Sequence, residues 1–201
     1  MDRPPRPSSL GLVVLCMLEV GPLHPYGLQR LIKLWGKDAV VNVGQRANLY
    51  KTIQRLEAAG LVAVEHTERD QRFPERTVYA LTDDGRRTGR EWLADMLATP
   101  RNEFPQFPAA LSFAMLLGPD ELAGMLDRRA AALREHTGEL ERELAAYGHL
   151  PRVTLIEAEY QRAVAAAELA WLDGVLADLR TGALTWSREE LAGLAVADAA
   201  E

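Results

Sequence analysis

Gln45, Arg46 and Asn48 stand at the head of the stretch QRANLYKTIQRLEAAGLV, residues 45–62. Their chemistry is that of base-edge recognition. A guanidinium bonds guanine at two atoms, and an Asn or Gln amide does the same for adenine. Tyr50, Lys51, Thr52 and Arg55 follow, all types that bond phosphate. To reach outward together, these side chains must share the open face of a helix whose other face is buried. Leu49, Ile53 and Leu56 recur at helical spacing and supply the buried face. Gly60 marks the C-terminal cap. The first turn adds unpaired backbone N–H groups and the positive end of the helix dipole, which favour a phosphate. The same residues also suit an ordinary helix with a solvated face, so the flanking elements bear on the choice.

Before this helix, residues 1–9 are rich in Pro and Arg, and Ser8 or Ser9 suits the cap of a short buried helix over 10–20. Gly21 and Pro22 end it. A second helix over 26–35 carries Leu28, Leu31, Ile32 and Trp35 at helical spacing. KDAVVNVG, residues 37–44, connects it to the third helix, and its valines suit a short extended piece. After Gly60 the period changes. Residues 61–67 and 76–82 read as strands, joined by a long polar tip, ERDQRFPE. Thr82 then caps a fourth helix, with Asp83 and Asp84 at its positive end. Three helices followed by a two-stranded hairpin is the winged variant of the helix-turn-helix, whose third helix enters the major groove. At the tip, Arg69 and Arg72 suit phosphate contact, yet Glu65, Glu68, Asp70 and Glu75 surround them, which equally suits a solvated loop.

TPRNEFPQFP, residues 99–108, is a natural boundary. The chain is expected to be mainly α, with a winged helix-turn-helix domain over 10–98 and a helical, coiled-coil-like dimerisation domain over 109–201. In the second domain a short helix over 109–117 precedes long helices over 120–147 and 153–180, and Ser187 with Glu190 forms a capping box. Leu126, Leu133 and Leu140 recur every seven residues, and Leu169, Leu172 and Leu176 hold corresponding positions in the second long helix. These six, with Trp92 and Met96 of the fourth helix, are expected at a dimer interface. The alternative is that the two long helices pack on each other within one subunit, and both can hold together.

The totals narrow the function classes. The 201 residues carry a net charge of −6, unevenly shared. Residues 1–99 hold 14 Lys and Arg against 12 Asp and Glu, while residues 100–201 hold 9 against 17. The acidic total therefore leaves room for an anionic partner of the N-terminal half. A single cysteine, Cys16, excludes an internal disulfide and a Cys-rich zinc site. It reads as an inert core thiol. The four histidines are too scattered for a metal motif. No glycine-rich phosphate loop, nucleophile elbow or paired metal motif is present, so no enzyme, metal or cofactor is expected. No apolar run reaches membrane-span length. The apolar stretch near the start contains Glu19 and lacks a cleavage site, so it is read as a helix rather than a signal peptide, and the expected setting is the cytoplasm.

LYKTIQRLEAAGLV, then RFPERTVYALTDDGR, then WL in the next helix together resemble the PadR family of transcriptional regulators. LGLVVLCMLEVGPLHPYGLQRL resembles the family's opening, where a YG dipeptide starts the second helix. The match spans about residues 10–98. The C-terminal half resembles the larger subfamily with an extended helical domain. The resemblance implies a homodimeric repressor that binds double-stranded DNA at an inverted repeat and releases it when a small molecule is sensed. It also implies that Tyr50 lies near the DNA backbone. In some relatives an aromatic in the fourth helix lines an effector pocket, a role open to Trp92, for which core packing is the alternative. Phe104 and Phe107 are candidate walls of that pocket, or anchors for the joint. The other function class is a winged-helix protein-interaction module without operator binding, suggested by the acidic hairpin tip and the acidic second half.

Overall fold

A computed structural model describes residues 6–70 and 73–187, with the backbone alone at 68–70 and 73–75. The chain divides into two compact units, residues 1–102 and 103–201.

In the first unit, α1 (Ser9–Leu18) begins where the Ser8 hydroxyl accepts the Gly11 N–H at 3.1 Å. The second helix, α2 (Pro25–Leu34), starts at Pro25, whose ring needs no N–H partner at that position. Its cap is His24, an element absent from the sequence reading. The connection expected to hold an extended piece is instead a 3-10 turn at Lys37–Ala39 followed by a loop, from which Val41 and Val43 are buried. The Gln29 side chain ties that loop down by donating to the Val43 carbonyl at 2.8 Å. The third helix, α3 (Arg46–Ala58), closes on a left-handed Gly60. There Leu61 N–H bonds the Leu56 carbonyl at 2.9 Å and Gly60 N–H bonds the Glu57 carbonyl at 2.8 Å, the paired bonds of a Schellman cap.

The wing is an antiparallel pair, β1 (Val62–Asp70) and β2 (Phe73–Leu81), running from Val62 opposite Leu81 to Asp70 opposite Phe73. The long tip expected over 68–75 is therefore mostly ladder. Polar residues hid this, because the run lacks the alternating apolar pattern by which a strand is read from sequence. Leu23, just before α2, exchanges both backbone bonds with Tyr79 of β2 at 3.0 Å, fastening the start of α2 to the wing. The fourth helix, α4 (Asp83–Ala98), is capped by Thr82, whose hydroxyl accepts the Gly85 N–H at 2.9 Å. The core draws on every helix of the unit: Val14, Leu15 and Leu18, Leu28 and Ile32, Leu49, Ile53 and Leu56, and Trp92. Cys16, expected in that core, is exposed. Partial desolvation still pushes its thiol above the ordinary range, which leaves little thiolate for reaction.

The second unit is built on α5 (Gln106–Leu111), α6 (Pro119–Tyr147) and α7 (Ile156–Thr181). Helices α6 and α7 form an antiparallel hairpin. Leu122, Leu126 and Ala130 of one meet Leu172, Leu176 and Leu179 of the other, and Arg134–Asp173 and Arg180–Asp127 pair across them at 2.6 Å. Trp186 returns to this core and donates its indole N–H to the Met115 and Leu117 carbonyls, at 3.2 and 3.0 Å. Of the capping box, Glu190 lies outside the described residues.

The hairpin supplies the within-subunit packing given as the alternative to a dimer interface. Leu126, Leu140, Leu172 and Leu176 are buried within the one chain, and Leu133 and Leu169 are half-buried in the same way. Trp92 is buried in the first unit, and Met96 is half-buried on α4. A seven-residue repeat marks a face that packs; it does not say which helix covers it. Among the described residues, no helix is long and apolar enough to cross a membrane.

Candidate nucleic-acid interface

The leading turn of α3 is open. Gln45 precedes it in extended conformation and its side chain makes no capping bond. No acidic residue lies in the first turn, so the helix's own side chains leave its positive end uncompensated. Gln45, Arg46, Asn48, Tyr50, Lys51 and Arg55 are all exposed. Asn48, Lys51, Gln54 and Arg55 share one shallow depression of about 460 Å³ along the outer face of the helix. The buried face is the one read from the sequence, with Leu49, Ile53 and Leu56 each at most 2% exposed.

Thr52 does not belong to the open face. It is 2% exposed, and its hydroxyl accepts from the Arg55 guanidinium at 3.1 Å. Position 52 lies three residues after Leu49 and four before Leu56, so helical phase carries it into the buried stripe. Its part in the site is indirect: it steadies the stem of Arg55. At the wing, Arg72 lies outside the described residues, and Arg69 is described by its backbone alone.

A cleft of about 380 Å³ opens beside the leading turn. Arg46 and Tyr50 of α3, Arg76 and Tyr79 of β2, and His24 and Tyr26 at the start of α2 line it. Burial, then the Glu57 carboxylate and Tyr50, push the Tyr79 phenol above its ordinary range, so it stays a neutral donor. Sequence reasoning missed His24 and Tyr26. The Pro that follows His24 was the available signal, since Pro favours the first position of a helix and so points to a cap just before it.

Of the three residues proposed for an effector pocket, two pack within their own units and one is exposed. Trp92 is 7% exposed in the core of the first. Phe107 packs against the core of the second, with the Arg129 guanidinium 3.5 Å from its ring centroid. Phe104 is 82% exposed and sits at φ 51°, a left-handed conformation that bulky residues rarely adopt.

Residues 14–91 match the model of the "Transcriptional regulator PadR-like family". No curated protein sequence matches the chain significantly. Among solved structures, the chain is similar to Bacillus subtilis PadR in complex with operator DNA, at 18% identity and TM-score 0.64, covering 86% of this chain and 99% of that one. The same protein in complex with p-coumaric acid aligns at 16% identity and TM-score 0.66, covering 85% and 98%. The Vibrio cholerae virulence activator AphA aligns at 19% identity and TM-score 0.59, covering 86% and 99%. At these identities the likeness speaks for the fold. A winged helix-turn-helix followed by a long helical unit is the fold this chain shares with those structures, and residues 14–91 of its N-terminal unit carry the match to the transcriptional regulator PadR-like family.

Proposed function

We propose that the chain is a DNA-binding transcriptional regulator that binds an inverted-repeat operator as a homodimer and represses until a small molecule displaces it. The observation that carries the DNA-binding part is the exposed, acid-free leading turn of α3; Gln45, Arg46 and Asn48, exposed on it, are the proposed base readers. Tyr50, Lys51 and Arg55 follow as backbone contacts.

Two copies suit the role because a two-fold dimer presents two reading helices to two half-sites one turn apart. The leucines of the α6–α7 seam are already covered, so a partner would use what the hairpin leaves exposed on α7, namely Ile156, Tyr160, Val164 and Trp171. These residues recur at helical intervals along one stripe. Release by a small molecule rests on the likeness to Bacillus subtilis PadR, which has been crystallised both with operator DNA and with p-coumaric acid, and repression on the resemblance of the sequence to the PadR family. No cofactor is proposed.

Binding to the DNA upstream of the protein's own gene, followed by gel shift at low salt, tests this reading. Arg46→Ala is expected to cost about 1–3 kcal/mol on the preferred site and to relax sequence preference. Arg55→Ala should weaken all sequences alike and lower the salt slope by about 0.9, the signature of one lost phosphate contact. A chain that binds neither this DNA nor mixed-sequence duplex would be a winged-helix interaction module instead.

A further inference from the structure

Helices α1 and α4 leave a slot of about 230 Å³ between them, within the first unit. Gly85 and Gly89 of α4, one turn apart, line it without side chains. A Cβ at Gly89 would meet Leu15 Cβ of α1 at 3.5 Å, so the space above Leu15 exists because position 89 is bare. Leu81 and Leu93 add apolar walls, and Cys16 of α1 lines the slot beside them. Three charged side chains also line it: Glu19, Arg86 and Arg90. Glu19 and Arg86 pair with each other across the two helices. Arg90 is exposed and has no carboxylate partner among the described residues. The slot is thus apolar with one uncompensated positive charge, a combination that suits a small organic anion. It also touches the support of the reading helix. Gly85 is pressed onto the Leu61 carbonyl, and the Leu61 N–H closes the cap of α3 on the Leu56 carbonyl.

We propose that this slot seats the effector: a small organic anion whose flat apolar body lies over Gly85 and Gly89 and whose carboxylate accepts from the Arg90 guanidinium. The assignment rests on the ligand-released regulator reading and gives its effector a place and a chemical class. A guest there favours a wider placement of α4 against α1. It thereby disfavours the placement in which the start of α4 holds the end of α3, and the population moves away from the DNA-reading state.

Cys16 is the chain's only cysteine, so its alkylation by iodoacetamide reports on the slot directly. The full chain is alkylated at alkaline pH, where the raised thiol ionises, with hydrocinnamate or with hydrocinnamyl alcohol, the same body without the charge. The acid should slow alkylation, and the alcohol should do so only at higher concentration. Arg90→Gln should raise the Kd of the acid about tenfold or more, the worth of a hydrogen bond between charged groups, and leave that of the alcohol unchanged. Gly89→Ala puts a methyl against Leu15 and should weaken both guests, while Ala suits a helix interior better than Gly does. In fluorescence anisotropy, the acid should lower affinity for the upstream duplex in the wild type and, at the same concentration, leave Arg90→Gln bound. If the acid leaves alkylation unchanged, protects Arg90→Gln equally, or protects Cys16 without altering DNA binding, the effector seat is overturned while the regulator reading stands. A Cys16 that resists alkylation in the folded chain yet reacts in urea also overturns it, because a second copy then covers the slot. If the wild type binds neither the upstream nor a mixed-sequence duplex, the regulator reading falls and takes the effector seat with it.

Discussion

Gly85→Ala is expected to cost the N-terminal unit about 3 kcal/mol or more, or to prevent it from folding. Gly85 lies in the first turn of α4, pressed onto the end of α3. A Cβ there would stand 1.9 Å from the Leu61 carbonyl oxygen, 2.9 Å from its carbon and 2.8 Å from Leu81 Cδ1. Overpacking costs about 1–3 kcal/mol when side chains can give way, but here the obstacle is backbone. It is also clamped: the Leu61 oxygen accepts from Thr82 N at 3.2 Å and from the Thr82 hydroxyl at 3.0 Å. Leu61 N–H in turn closes the cap of α3. Relief at Gly85 therefore displaces the cap of α4, the cap of α3, or both, and α3 carries the base readers. Urea denaturation of the full chain, followed together with DNA binding, measures it. Wild-type stability in this variant would mean that α4 does not start against Leu61. Gly124, inside α6 with open space at its Cβ position, is the control of opposite sign. Gly124→Ala should stabilise by roughly 0.5–1 kcal/mol.

The second large effect concerns Trp92. Its indole packs so closely on α1 that a Cβ at Gly11 would come within 3.1 Å of Trp92 Cζ3. Only 7% of the residue is exposed. Truncating a core aromatic costs about 3–5 kcal/mol through lost transfer energy and the cavity left behind. Trp92→Ala should therefore lower the urea midpoint sharply, and Trp92→Phe should do so less. Below the unfolding range, any response of DNA binding to a small molecule should survive in Trp92→Phe. An effector-lining tryptophan makes the reverse pattern, with stability spared and the response lost. The burial of Trp92 between α1 and α4 favours the first outcome, because a side chain already enclosed by its own unit has little surface left for a ligand.

Local sequence determined a good deal of this protein. Helices α1 to α4, the wing, the caps at Ser8, Thr82 and Gly60, and the outward set Gln45, Arg46 and Asn48 were all legible. Caps and amphipathic faces depend on residues within four positions of one another, so a short window contains their cause. Thr52 was legible in principle too, since its phase between Leu49 and Leu56 places it inside, although its hydroxyl is of a type that bonds phosphate. The tertiary structure decided what depends on partners distant in sequence. Leu126 and Leu176 show that an apolar repeat requires burial without naming the neighbour, which proved to be the other arm of the same hairpin. His24, Tyr26 and Arg76 meet at one cleft only because the Leu23–Tyr79 bridge brings the start of α2 to a strand more than fifty residues later. The clamp on Gly85 arises the same way, from a carbonyl on the far side of the wing. A polar residue's role is set by which surfaces converge around it, and convergence over such separations leaves no periodic trace in the chain.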